Sequence, residues 1–193
     1  SFMIVFIVLV TLLILYIVYE NHTRNKELLK YAQTDALTGL YNKETTEQLT
    51  DELLSEDENK SHAFLILDVD CFKQINDIYG HAVGDIVLQK FGKLLKGTFR
   101  EGDILGRIGG DEFGVIMKNI QTKDIAMKKA EELLAKTQAY KIDELKGNNI
   151  SISIGISTAP QDGDCYMDLY KRADQALYQA KRSGKARVCN YFS

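Results

Sequence analysis

The sequence predicts an α+β sandwich, with helices packed on a mainly antiparallel sheet, behind an apolar N-terminal helix. Three observations predict it. Residues 63–70, AFLILDVD, are continuously apolar up to Asp68, as in a central strand buried on both faces. Residues 103–118, DILGRIGGDEFGVIMK, read as strand, Gly-Gly turn, strand: a β-hairpin turning at Gly109-Gly110. Between and after these lie stretches with apolar residues at helical spacing.

The elements follow in chain order. Residues 2–19, FMIVFIVLVTLLILYIVY, carry no charge and one clearly polar side chain, Thr11. As a helix they would extend ~27 Å, close to the hydrocarbon thickness of a bilayer. They lack the basic start and small-residue cleavage site of a signal peptide. The expectation is a transmembrane helix over 1–19. Residues 20–34, with Arg24, Lys26 and Lys30, are expected to continue it as a helical stalk. The basic cluster puts the C-terminal side in the cytoplasm, so the expected location is the inner (cytoplasmic) membrane. The chain opens on Ser1 rather than Met, which predicts a piece of a longer protein. The soluble domain is expected over 35–193. It opens with a helix near 43–56, followed by the strand 63–70. Residues 84–100 set Val87, Leu88, Phe91, Leu94, Leu95 and Phe99 on one helical stripe. The hairpin follows, then an amphipathic helix over 122–139. Residues 150–158, ISISIGIST, alternate Ile and Ser, predicting a strand with one buried face. Residues 166–184 place Tyr166, Leu169, Tyr170, Ala173, Leu177 and Ala180 at helical spacing, with Gly184 as C-cap. Residues 186–192 read as a last strand.

Composition excludes several classes. The 193 residues carry a net charge of −3, which gives no bias toward nucleic acid. Cys71, Cys165 and Cys189 are odd in number and show no metal-ligand spacing, so they read as free thiols. His22, His62 and His81 are too scattered for a metal cluster.

The carboxylates stand where chemistry is done. Asp68 and Asp70 end the central strand, and Asp111 and Glu112 follow the hairpin turn. If the hairpin pairs with 63–70, Asp68 and Asp111 converge at one sheet edge and repel unless a cation lies between them. Such oxygen ligands suit Mg²⁺, bound by one or two carboxylates plus substrate phosphates. Gly109 and Gly110 make a tight turn that lets a phosphate or ribose approach. Alone, this segment is equally an exposed turn. The stretch 68–85, DVDCFKQINDIYGHAVGD, adds a strand end, an irregular turn and a helix start, whose free N–H groups suit phosphate. Asn76 and Asp85 offer an amide and a carboxylate, the pair that guanine's edge requires, or they cap helices.

Residues 109–113 spell GGDEF, and here the sequence resembles the GGDEF-domain diguanylate cyclases. The resemblance spans about 33–192. It includes DALTGLYNK (35–43), with Lys43 where the family has Arg, the 68–85 segment, and RADQALYQAKRSGK (172–185). It implies a fold like the palm of nucleotidyl cyclases and polymerases, with a ferredoxin-like core. It implies a transferase that condenses two GTP into cyclic di-GMP and two pyrophosphates across a homodimer of domains. By resemblance, Asp68, the Val69 carbonyl and Asp111 bind Mg²⁺ or Mn²⁺. Glu112 is either a further ligand or acts near the attacking 3′-hydroxyl. Gly109 and Gly110 border the substrate, and the backbone at Cys71, Phe72 and Lys73 cradles the β- and γ-phosphates. Asn76 and Asp85 read guanine, and the carboxylate at 85 argues for guanine twice. Lys181 and Lys185 hold the terminal phosphates, Lys185 standing where Arg is frequent. Arg100 and Asp103, in REGD, match the family's R-x-x-D inhibitory site, where cyclic di-GMP binds as feedback inhibitor. The other reading of the same residues is a catalytically silent module that binds GTP or cyclic di-GMP and signals by contact.

Overall fold

The structure, a computed structural model, describes residues 2–57 and 60–191. The chain divides into two units, Ser1–Thr34 and Asp35–Ser193. The first unit is one helix, α1 (Phe2–Gln33). The apolar run is helical, but the expectation that it spans a membrane is corrected. Among the described residues no helix is long and apolar enough to cross a membrane. A span needs about 20 consecutive apolar residues; this run stops at Tyr19, and the helix continues without a break into Glu20, His22 and Arg24. The same finding overturns the inner-membrane location and the membrane as a partner.

The second unit opens with α2 (Lys43–Glu56), capped by Asn42, whose side chain accepts from the Thr45 amide. Strand β1 (His62–Val69) follows, then α3 (Phe72–Tyr79) and α4 (His81–Thr98). The sequence placed one helix over 84–100. The structure starts it earlier, because Gly80 at φ 85° turns α3 directly into α4, and ends it at Thr98, because Phe99 is extended. Strands β2 (Ile104–Arg107) and β3 (Glu112–Met117) form the expected hairpin. Helix α5 (Lys123–Ala139), strand β4 (Ile152–Ala159), helix α6 (Tyr166–Arg182) and strand β5 (Val188–Asn190) complete the fold. The last strand is shorter than the 186–192 expected, and residue 192 lies outside the described residues.

The sheet order is β2-β3-β1-β4-β5. β1 is antiparallel to β3 and β4, and β5 runs parallel to β4, so the sheet is mixed. On one face Leu65, Leu67 and Val69 pack with Val87 and Phe91 of α4 and Leu133 of α5. On the other, Phe64 and Ile66 pack with Leu53 of α2 and Leu169 and Leu177 of α6. Both outer edges are short or occupied. At β2 the segment through Tyr41 lies alongside, exchanging bonds with Leu105 and Arg107, and β5 has only three residues.

The alternation predicts one buried face for β4, and in the structure every residue of the strand is buried. The serine face is covered by α6, and Ser157 Oγ donates to the Leu169 carbonyl at 2.8 Å. Gly155 makes this possible: a Cβ there would lie 2.1 Å from the Ala173 carbonyl oxygen and 2.4 Å from the Leu177 nitrogen. Those are helix backbone atoms with little freedom to move aside. Gly155→Ala is therefore expected to destabilise the domain by about 3 kcal/mol, the upper range for overpacking, read as a lowered midpoint in chemical denaturation.

Candidate functional site

The side chains of β1 alternate, so Asp68 shares the α6 face of the sheet with Phe64 and Ile66. The register puts Asp68 directly opposite Glu112 of β3. Like charges in directly opposed sheet positions repel. Asp68 is only 7% exposed. Burial pushes its carboxyl above the usual carboxylate range, and Asp111 and Asp70 push further. Glu112 is raised by burial and then by the charge of Asp68. One cation opposes this: Lys181, in the last turn of α6, reaches across to Asp68 at 2.7 Å. The stripe that seats α6 on the sheet thus carries Lys181 to the strand rim.

The hairpin turn is tied down on both sides. The Ile108 and Gly109 amides donate to the Glu112 carbonyl, and the Val69 amide donates to the Asp111 carbonyl at 3.2 Å. A Cβ on Gly109 would lie 2.9 Å from Glu112 Oε2, so glycine leaves that carboxylate its place. The Gly110 carbonyl accepts from Arg107 Nε at 3.1 Å and Nη2 at 2.7 Å. The other side of the guanidinium meets both carboxylate oxygens of Asp35, each at 3.2 Å. Burial raises Asp35, but the Thr38 and Arg107 donors outweigh it and hold its carboxyl below the ordinary value. Sequence reasoning missed this strut. Its members lie 72 residues apart, and the available signal was only that both sit inside recognisable motifs.

Beyond β1 the chain enters α3 through Cys71, held in the left-handed region at φ 59°. Gln74 is the first amide of that turn to bond back, to the Cys71 carbonyl at 2.9 Å, so Phe72 and Lys73 stand at the open helix N-terminus. Lys185 Nζ donates to Cys71 Sγ at 3.1 Å, which raises the lysine's pKa. Asn76 lies inside α3 and Asp85 inside α4, so neither caps a helix. Asn76 Oδ1 is buried with no hydrogen-bond partner among the described residues, against Gly84, where a Cβ would lie 1.9 Å away. Asp85, the next residue, is exposed. An amide packed beside an exposed carboxylate leaves polar atoms for a ligand to satisfy.

The structure brings Asp68, Val69, Asp111, Glu112 and Lys181 together at one rim, with Cys71 just beyond Asp70 and Lys185, on the turn after α6, reaching Cys71. Arg100 and Asp103 lie at the opposite end of the β2–β3 hairpin. Asp103 accepts from Arg100 Nε at 3.0 Å and from the Lys118 amide at 3.1 Å, and Arg100 Nη2 donates to the Lys118 carbonyl. Asp103's side chain is 3% exposed and Arg100's 60%. The pair borders a cleft of about 650 Å³ that also includes Phe99, Lys128 and Lys129.

As a cation site, the rim offers hard oxygen donors whose charge the fold leaves incompletely balanced. That fits a divalent metal of the Mg²⁺ or Mn²⁺ kind. Among the described residues, the His, Cys, Asp and Glu ligand atoms that lie within 4.8 Å of one another belong to a different group, Asp164, Cys165 and Asp168 near the start of α6. Exposed acidic groups of that sort are common without a metal.

The sequence profile of the family described as "Diguanylate cyclase, GGDEF domain" matches residues 32–187. Diguanylate cyclase A of Treponema denticola is 37% identical over 170 residues, covering 85% of this chain and 46% of that protein. The response regulator PleD of Caulobacter vibrioides is 37% identical over 177 residues, 88% of this chain and 39% of its own length. The chain thus spans about half or less of these relatives. Among solved structures, the coiled coil and GGDEF domain of DgcB from Caulobacter crescentus, in complex with c-di-GMP, superposes with a TM-score of 0.82 at 25% identity. The alignment covers 90% of this chain and 93% of that one. The GGDEF domain of TpbB from Pseudomonas aeruginosa gives 0.78 at 33% identity, over 82% and 94%.

The raised carboxyl of Glu112 has a measurable consequence. A folded-state pKa above 4.5 means that ionising Glu112 costs the fold stability as pH rises through and beyond that value. Glu112→Gln removes that cost. In metal-free protein at neutral pH the variant is expected to melt a few degrees above wild type. The gap should close as the pH falls below 4.5, and thermal melts across pH check this.

Proposed function

Since the chain belongs to the GGDEF-domain diguanylate cyclase family, we propose that it condenses two GTP molecules into cyclic di-GMP with release of two pyrophosphates. The observation that carries this reading is Asp68, buried and opposite Glu112, beside an open helix N-terminus that suits phosphate. GGDEF cyclases are metal-dependent in general. Here Asp68, Asp111, the Val69 carbonyl and, in one of its two roles, Glu112 would hold Mg²⁺ or Mn²⁺. The bound metal would neutralise charge at the α-phosphate and lower the pKa of the ribose 3′-hydroxyl.

This chain's own residues then orient the nucleotide. The amides at Cys71, Phe72 and Lys73 receive the β- and γ-phosphates at the positive end of α3. Lys181 and Lys185 face the terminal phosphates from the end of α6. Asn76 and Asp85 read guanine, the carboxylate accepting from the two donors of the base edge. Gly109 and Gly110 keep the turn low enough for the ribose to approach. Each 3′-oxygen loses its proton and attacks the α-phosphorus of the other nucleotide, and pyrophosphate leaves in line. In its other role Glu112 stands near that hydroxyl. One domain holds one GTP, so two copies must face each other. Positioning and fixed charge supply most of the rate.

Arg100 would bind product in a separate feedback site. Asp103 is engaged in orienting it, and the lysine-bordered cleft beside it suits an anionic dinucleotide.

The test is incubation with GTP and Mg²⁺ and chromatographic separation of products. Wild type is expected to form cyclic di-GMP, and Asp111→Ala to fall by at least about 100-fold, as when a charge-stabilising group is removed. A folded wild type that binds GTP but makes no product would identify the silent module instead. Arg100→Ala is expected to accumulate several-fold more product before the progress curve flattens. Identical plateaus would remove the feedback site.

A further inference from the structure

The site above uses Asp68, Asp111 and Glu112 but gives no task to Asp70, a fourth carboxylate at the same strand end. Asp70 is 8% exposed. Its carboxylate is held by neutral donors: Ser151 Oγ at 2.6 Å, Ser153 Oγ at 2.7 Å and the Ala186 amide at 3.1 Å. Its own amide donates to the Ser151 carbonyl at 2.9 Å. Burying a carboxylate costs desolvation, which three hydrogen bonds to its oxygens offset.

What the carboxylate connects explains its presence. The turn after α6 runs through the left-handed region at Gly184, Lys185 and Ala186, with φ of 113°, 61° and 49°. For the two non-glycine residues this conformation is strained, so outside contacts must hold the turn. Three do: the Lys185 amide donates to the Ala180 carbonyl at 3.1 Å, the Ile154 amide to the Arg187 carbonyl at 2.9 Å, and the Ala186 amide to Asp70. Asp70 is therefore covalently next to Cys71, where the α3 N-terminus begins, and hydrogen-bonded to the turn that carries Lys185. Lys185 Nζ lies 3.1 Å from Cys71 Sγ, across the gap that these two segments define.

We propose that Asp70 is a positioning residue for polyphosphate: it pins the 184–187 turn so that Lys185 faces the 71–73 amides, letting the site distinguish a nucleoside triphosphate from a monophosphate. The proposal rests on the substrate reading above. Asp70 need not touch the nucleotide; it acts through Lys185, whose ammonium is a point charge on a flexible stem and needs its backbone fixed.

The test is a double-mutant cycle read by binding alone. Calorimetry would compare GMP with the α,β-methylene analogue of GTP, which cannot release pyrophosphate, on wild type, Asp70→Asn, Lys185→Met and the double variant, all with Mg²⁺. Asp70→Asn is expected to weaken the triphosphate analogue about tenfold, the loss of one hydrogen bond to a charged group, with GMP within twofold of wild type. Lys185→Met should do the same, and the double variant should bind no worse than Lys185→Met alone. An equal loss for GMP and the analogue, or additive losses in the double variant, would overturn the proposal and leave Asp70 a structural residue. Should Asp70→Asn not fold, Ser151→Ala removes one of the three donors and is read the same way, with a smaller loss. A wild type with no preference for the triphosphate would sink the substrate reading itself, separately from any effect of Asp70.

Discussion

Two carboxylates directly opposite each other on neighbouring strands, under a layer of helix, are an electrostatic load that the fold must balance. Asp68 and Glu112 occupy those positions, and burial raises both. Around this constraint much of the domain becomes intelligible. Helix α6 has to lie flat on the sheet for Lys181 to reach Asp68, and Gly155 lets it do so. The strands have to end at this rim, because a charge deeper in the sheet would have neither solvent nor cation near it. Lys181 is the counter-ion that the fold itself supplies to Asp68.

The backbone at the rim is fixed by bonds that do not involve the carboxylates. Arg107 spans from Asp35 to the Gly110 carbonyl, and the Asp111 carbonyl receives the Val69 amide. A charged group with restricted reach can be aimed only if the peptide that bears it is immobile. The strut also joins the first residues of the domain to the signature turn, since Asp35 organises the Thr38 turn through two bonds of its own.

Much of this was legible in the sequence, where local pattern and burial agree. The unbroken apolar run into Asp68 marked a strand covered on both faces, and the glycine pair marked the hairpin. The stripe from Tyr166 to Ala180 marked the helix that carries Lys181. What escaped was non-local. Ser153 and Ser157 look like a solvent face when read by alternation, and only the third dimension supplies Asp70 and the Leu169 carbonyl as their partners. Arg107 met Asp35 through the approach of the 35–41 segment to an edge strand, which spacing does not encode. Gly80 was invisible as a junction because two helices meeting at one residue share the periodicity of a single helix. The apolar N-terminal run had the hydropathy of a spanning segment over too short a length.

The two edges of the sheet bear on how such domains live together. An open strand edge is a template on which a second chain can add, and at high local concentration it seeds unlimited sheet growth. Here β2 is already occupied by the Tyr41 segment, and β5 is three residues long. Among the described residues, neither offers a row of vacant amides long enough to recruit a neighbour. Copies of this domain can therefore be crowded together and meet repeatedly without fusing into a common sheet, leaving side-chain surfaces to govern which encounters last.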